Sequence, residues 1–234
     1  MSEVRIMKVK ILEKRQEIDG VFSFIFQPEK ETSWKAGQFA IYKIPHTNQD
    51  NRGDIRIFTI SSPPYQGKIM LTTRYLFEES SSFKKALFAK KENDLVEILK
   101  IQGNFTVEDP NQKIVFIAGG IGITPFHSFL LDLEKRSNIK DIILIYSNKN
   151  EDSIIFRNTI DRLYKDFKGL KVHYIFSPQL CDQELIEKLV PDMKERMFYL
   201  SGPTRMVDSV DNALQNLNID KKNIKNDYIP GTGE

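Results

Sequence analysis

Residues 114–126 read Ile-Val-Phe-Ile-Ala-Gly-Gly-Ile-Gly-Ile-Thr-Pro-Phe, and their order decides the fold. Five residues suited to a buried strand, Ile114 through Ala118, run directly into Gly119, Gly120 and Gly122. Thr124 and Pro125 then open a helical spacing of apolar side chains at Phe126, Phe129, Leu130 and Leu133. A strand, a glycine turn and a helix in that order let backbone N–H groups approach a pyrophosphate and aim the helix N-terminus at its charge. The spacing is Gly-Gly-x-Gly-x-x-Pro rather than the full Gly-x-Gly-x-x-Gly. Two readings therefore stand: a phosphate-binding turn, or a tight turn whose glycines serve packing.

Downstream of this stretch the grammar stays strand–helix–strand, the mark of a parallel sheet covered by helices. Strands are predicted over 114–118, 141–146, 171–176 and 197–201, and helices over 124–136, 154–166, 182–189 and 204–217. Upstream the grammar changes. Short alternating segments at 8–13, 21–27, 38–44, 56–61, 68–75 and 95–99 are separated by Asp19-Gly20, Pro28, Gly37, Pro45, Pro63-Pro64 and Gly67. A single helix is predicted there, over 82–90. Six antiparallel strands and one helix in about a hundred residues favour a small closed barrel, because closure removes exposed edges. The fold class is thus a β-barrel followed by an α/β domain, with domains at 1–108 and 109–234 on either side of the polar Glu108–Lys113 segment.

Composition narrows the function. The chain has 234 residues, 40% hydrophobic and 28% charged, as expected of an ordinary globular protein. Its 34 Lys and Arg face 32 Asp and Glu, so bulk charge makes no case for nucleic acid. Cys181 is the only cysteine, which excludes an internal disulfide framework and any iron–sulfur or multi-cysteine zinc site built by this chain. His46, His127 and His173 show no metal-ligand spacing, and no metal is expected. No apolar stretch approaches the ~18 residues of a membrane span, and the N-terminus lacks the apolar core of a signal peptide. A cytoplasmic location is the expectation.

A second informative segment is Arg56-Ile57-Phe58-Thr59-Ile60-Ser61-Ser62-Pro63. On a strand Arg56 and Phe58 share a face, which sets a permanent cation beside a flat ring. Such a pair suits a ligand carrying both a phosphate and an aromatic system. Thr59 adds a hydroxyl on the opposite pleat. The alternative makes Phe58 and Ile60 core residues and Arg56 a salt-bridged edge. Ser80-Ser81-Ser82-Phe83 precedes the lone helix, either as an N-cap or as free N–H groups available to an anion. Arg74, ending Thr72-Thr73-Arg74, faces either a ligand or water.

Taken in order along the chain, these motifs resemble the ferredoxin–NADP reductase superfamily of flavin-dependent oxidoreductases. Trp34-Lys35-Ala36-Gly37-Gln38-Phe39 is similar to the family's Pro-Gly-Gln-aromatic turn, and Arg56-Ile57-Phe58-Thr59 to its Arg-x-Tyr-Ser/Thr flavin motif. The resemblance implies that Arg56 neutralises the flavin phosphate, Phe58 packs on the isoalloxazine and Thr59 bonds near the reactive N5. Thr72, Arg74, Ser81, Ser82 and Phe83 fall where the family holds the ribityl and pyrophosphate parts. Gly120, Gly122, Ile123 and Thr124 match the nicotinamide-dinucleotide turn, with Thr124 near the nicotinamide. Tyr146-Ser147-Asn148-Lys149 matches the strand end that meets the adenosine ribose, with Ser147 and Lys149 as the cofactor-binding residues. Ser201, Gly202, Pro203 and Met206 resemble the Cys-Gly-Pro-x-x-Met segment of the hydride-transfer pocket. Asp227-Tyr228-Ile229-Pro230-Gly231 resembles the family's Glu-x-Phe-x-Gly ending.

There are departures. Ser201 stands for Cys, Phe58 stands for Tyr, and no aromatic residue follows Gly231. The implied activity is hydride transfer from NAD(P)H to flavin at a cleft between the domains, with Thr59, Thr124 and Ser201 nearest the chemistry. Electrons then pass to a redox acceptor protein or a small-molecule acceptor. FAD is expected over FMN because residues 75–82 offer an adenosine end, with Tyr75 or Phe77 available to stack on adenine. Ser147, Lys149 and Arg157 lean towards a 2′-phosphate, and Asp152 opposes that lean. Two other roles stay open: an electron-transfer subunit serving a partner, and a non-catalytic redox-sensing dinucleotide-binding module.

Overall fold

The computed structural model describes residues 6–227. The chain divides into two compact units, one running to Thr106 and the next beginning at Val107. The first unit contains strands β1 Met7–Ile18, β2 Val21–Pro28, β3 Phe39–Lys43, β4 Ile55–Thr59, β5 Ile69–Arg74 and β6 Leu95–Gln102. They form one antiparallel sheet in the order β4-β3-β6-β1-β2-β5. The two ends of that order meet. Ile60 bridges Leu71, and Ser61 N–H donates to Met70 O at 2.8 Å, closing the sheet into the expected barrel. Closure gives the edge backbone groups partners that water would otherwise supply.

Local chemistry explains the strands. Asp19-Gly20 makes the two-residue turn between β1 and β2, with Gly20 at φ 66°, a conformation that suits glycine. Phe24 and Phe26 alternate inward with Val9, Ile11, Ala40, Tyr42, Ile69, Leu71, Val96 and Ile98 to form the interior. The outward face of β2 is partly covered too, since Ser23 is buried with its hydroxyl 2.8 Å from that of Thr72. The one α-helix of this unit, α1 Ser82–Ala89, sends Phe83 and Leu87 into the same interior. Each such aromatic or aliphatic side chain contributes about 1.5–3 kcal/mol by leaving water.

In the second unit β7 Ile114–Gly119, β8 Ile142–Asn148, β9 Leu170–Phe176, β10 Met197–Ser201 and β11 Ile224–Asn226 form a parallel sheet ordered β11-β10-β7-β8-β9. All six residues of β7 are buried, which explains why its sequence is a continuous apolar run instead of an alternating one. Val115, Ile117, Ile143 and Ile145 pack with Leu185 and Ile186 of α4 Gln183–Leu189 and with Val207, Val210 and Leu214 of α5 Thr204–Asn216. On the other face Phe116 stacks on Phe126 and Phe129 of α2 Thr124–Lys135 at centroid distances of 4.8 and 5.5 Å.

Two details differ from the sequence reading. Helix α3 begins at Arg157 and runs to Asp166, instead of beginning at 154. Ile154, Ile155 and Phe156 form a buried entry segment in which Phe156 takes φ 61°, and three consecutive apolar residues cannot share one helix face. Strand β11 was not expected. Its three residues carry no periodicity and become a strand only by pairing with β10.

The chain leaves β7 towards β8 on one side and later returns to β10 on the other. That reversal falls at the carboxyl ends of β7 and β10, the usual ligand position in open parallel sheets.

Candidate functional site

In the barrel unit, β4 sets Arg56 and Phe58 on one face. Phe58 is half-buried, its ring 5.9 Å from those of Phe83 and Tyr42, and the Arg56 guanidinium lies 5.6 Å from the Phe83 ring centre. The guanidinium is highly engaged. Its Nη1 donates to the carbonyls of Arg52 at 2.8 Å, Gly53 at 3.1 Å and Ile55 at 2.7 Å. Its Nη2 donates to Asp50 Oδ1 at 3.0 Å.

Asp50 Oδ2 in turn accepts the Ser82 N–H at the start of α1 at 3.0 Å, while the Asp50 N–H donates to Ser82 Oγ at 2.9 Å. The Arg52 N–H donates to Asp50 Oδ1, also at 3.0 Å. Burial opposes ionisation of Asp50, but the backbone donors Arg52 and Ser82, then the Arg56 and Arg52 charges, outweigh it. Its carboxyl is held well below the usual carboxylate range.

The remaining barrel residues divide by burial. Ser81 is the side-chain N-cap of α1, accepting the Lys84 N–H at 3.3 Å. Thr59 and Thr72 are buried, at 6% and 4% exposed, and the Thr72 hydroxyl is engaged by Ser23. Arg74 is exposed. Phe83 is completely buried, so its side chain belongs to the core and only its backbone is available to a ligand. Tyr75 is stacked on Phe88 at 3.6 Å, whereas Phe77 is 73% exposed.

In the sheet unit the glycine turn is built by packing. Gly120 sits at φ 51°, and Tyr146 Oη donates to its carbonyl at 3.0 Å while accepting the Ile155 N–H at 3.3 Å. A Cβ added at Gly122 would lie 2.5 Å from Gly202 N and against the Ser201 carbonyl. One added at Gly119 would lie 3.0 Å from Pro203 Cδ and against Met206 Sδ. The ends of β7 and β10 therefore touch through backbone, and Gly120, Gly122, Gly202, Pro203 and Met206 come together. Ile123 and Thr124 are buried beside them.

Ser201, 3% exposed, donates its hydroxyl to Asp227 Oδ2 at 3.0 Å, and the Asp227 N–H donates to Leu200 O at 2.9 Å. Burial pushes the Asp227 carboxyl up to about 6, with the Ser201 hydrogen bond opposing. Tyr228, Ile229, Pro230 and Gly231 lie outside the described residues.

At the end of β8, Ser147 is half-buried and Lys149 exposed. Between them Asn148 is 8% exposed, and among the described residues neither polar atom of its side chain has a partner. The Arg157 charge is matched by Asp161 at 3.1 Å and Glu151 at 3.4 Å, which weakens its claim on a 2′-phosphate. His127 is buried and stacked on Phe156 at 3.9 Å. Among the described residues no group of three His, Cys, Asp or Glu is arranged to hold a metal, and no helix is long and apolar enough to cross a membrane.

Asp50 escaped the sequence reading as a site residue, and Tyr146 and Asn148 entered it only as part of the Tyr146–Lys149 segment. Asp50 lies in a turn-rich run beside Arg56, a local signal, but nothing local indicates its reach to Ser82.

A closed antiparallel barrel followed by a parallel sheet with a glycine turn at its reversal point is the ferredoxin–NADP reductase-like fold. Comparison agrees with this. Residues 116–212 match the family described as the oxidoreductase NAD-binding domain. The ferredoxin-NADP+ reductase from Plasmodium falciparum superposes with a TM-score of 0.82 at 21% identity, over 97% of each chain. A flavohemoprotein from Oceanobacillus iheyensis is 22% identical over 92% of this chain and 57% of its own length. The glycine betaine monooxygenase reductase subunit from Chromohalobacter salexigens is 24% identical over 91% of this chain and 61% of its own. The chain thus spans about three fifths of these two curated relatives. The fold is thus shared with ferredoxin-NADP+ reductase, and residues 116–212 match the oxidoreductase NAD-binding domain family.

Proposed function

We propose that the protein is a flavin-dependent oxidoreductase that takes hydride from NAD(P)H and passes electrons to an acceptor, with FAD on the barrel unit and the dinucleotide on the sheet unit. One observation carries the flavin half: Arg56 and the first amide of α1 both bond a single carboxylate, that of Asp50. That carboxylate stands in for an anion, and its donors are those a phosphate needs: a guanidinium and a helix N-terminal N–H. The residues fit the group.

In this reading Arg56, Ser81, Ser82 and the Phe83 backbone hold the flavin phosphates, with Thr72 and Arg74 alongside. Phe58 offers a half-exposed ring to the flavin, and Thr59 a hydroxyl. Gly120, Gly122, Ile123, Thr124, Gly202, Pro203 and Met206 receive the nicotinamide half, and Ser147 and Lys149 the adenosine ribose. The bound flavin supplies the hydride-accepting chemistry, while the chain supplies orientation and charge compensation. Orientation alone contributes about 7–11 kcal/mol in well-aligned systems, so no acid–base dyad is required. Ser201 and Asp227 can hold a proton between them at the end of β10.

A second reading, an electron-transfer subunit with the acceptor on a partner, is favoured by the likeness to a monooxygenase reductase subunit. FAD titration of the purified protein tests the proposal. Saturable quenching of flavin fluorescence at one equivalent is expected, and a protein that never retains FAD contradicts it.

A further inference from the structure

The Arg56 guanidinium, the Ser82 amide and the Asp50 carboxylate form one closed cluster, and the carboxylate is its only anion. Two donors of this kind would serve an incoming phosphate equally well, because a carboxylate and a phosphate present the same paired oxygens to a guanidinium fork. The Ser82 N–H has a single proton and cannot serve both at once. Arg56 has further N–H donors, but a second anion at the same place would meet a like charge at hydrogen-bond distance.

The Asp50 backbone is tied to the α1 start by its N–H to Ser82 Oγ at 2.9 Å, so it is the side chain that would turn away. Asp50 belongs to a surface turn in which Gln49, Asn51 and Arg52 are exposed. That turn has fastenings independent of the carboxylate: Gly53 N–H donates to Asp50 O at 3.0 Å, and Ile44 N–H donates to Asp54 O at 3.0 Å.

We propose that Asp50 is an internal competitor for the flavin phosphate: it occupies Arg56 and the α1 N-terminus, and flavin binds by displacing it. The inference rests on the flavin reading above and adds what sets the affinity. An internal competitor lowers apparent affinity by the fraction of time the seat is free, so the flavin is exchangeable instead of permanently held. Specificity follows as well. A flavin without phosphate has no reason to contest Asp50 and gains nothing from its removal.

The test is Asp50→Asn, which removes the charge and keeps one oxygen, enough to accept either the Arg52 or the Ser82 N–H, which now bond different oxygens. Asp50→Ser is the second variant should the first fold poorly, and thermal unfolding checks both. FAD and riboflavin are titrated into each protein. Asp50→Asn is expected to tighten FAD about tenfold and leave riboflavin unchanged. In an Arg56→Ala background the same substitution is expected to have a smaller effect, because one of the two contested donors is gone. FAD that binds wild type and variant equally, or binds the variant more weakly, overturns the competition while leaving the flavin reading in place. If neither protein takes FAD, the flavin reading fails, and inorganic pyrophosphate then decides the competition. Pyrophosphate that raises the melting temperature of Asp50→Asn above its effect on wild type supports the proposal, and equal effects overturn it.

Discussion

The two candidate ligand regions are built by opposite means. In the barrel unit the contacts are side chains: Arg56, Asp50 and Ser82 form a charged cluster on a surface turn and a helix start. In the sheet unit they are backbone: a Cβ at Gly122 would collide with the Ser201–Gly202 backbone, and one at Gly202 would press on the Gly119 backbone at 3.1 Å. A side-chain cluster can be retuned by one substitution without disturbing the fold. A backbone contact cannot, because the same atoms hold the sheet and shape the candidate site. Glycine in the second region is therefore evidence about packing first and about nucleotide binding second.

The largest effect that would break this contrast is at Gly122. Gly122→Val forces a branched side chain into the Ser201–Gly202 backbone, and we expect a loss of about 3 kcal/mol or more in unfolding free energy. Chemical denaturation checks it. A variant that keeps wild-type stability and loses only NAD(P)H binding would show that the glycine serves the ligand alone.

Arg56→Ala comes next. It is expected to weaken FAD retention by roughly 1.5–3 kcal/mol, the range for hydrogen bonds to a charged group, with dialysis and flavin absorbance as the readout. Full flavin occupancy in that variant would remove Arg56 from the phosphate seat.

Asp227 sharpens the comparison through pH. Its folded-state carboxyl titrates at about 6, above the ordinary 3.8, so the neutral form is the one the fold favours. Stability from this group is fully present below about pH 4 and is lost as pH rises through 6. Asp227→Asn should therefore be more stable than wild type at pH 8 by about 1–2 kcal/mol, after allowance for solvent screening, and equal to it at pH 4. Parallel melting curves that never diverge with pH would count against the buried acid.

The smallest expected effect is at Tyr146, whose hydroxyl ties Gly120 O to Ile155 N–H. Tyr146→Phe should cost about 0.5–1.5 kcal/mol of stability and loosen amide protection at Ile155, measurable by hydrogen exchange. Unaltered exchange there would mean the turn holds without its pin.

Much of the fold was legible because its signals are local. Alternation in β2, the Asp19-Gly20 turn and the apolar run of β7 each state a structure within a few residues. The start of α3 was misread because Ile154, Ile155 and Phe156 are buried without being helical. Strand β11 was invisible because three residues beside β10 carry no pattern. Within the candidate site, Arg56 and Phe58 were readable from strand geometry, and Ser81 from its capping chemistry. Asp50 was not, since its bond to Ser82 spans 32 residues and only the folded barrel brings the two together. Ser201 and Asp227 were each singled out, but not the hydrogen bond between them, which spans 26 residues.

Anaerobic rapid mixing of the FAD-loaded protein with NADH, and separately with NADPH, tests the central claim most directly. The account predicts that flavin absorbance bleaches with at least one of them, at a rate that saturates with nucleotide concentration. Flavin that stays oxidised in the presence of both would contradict it.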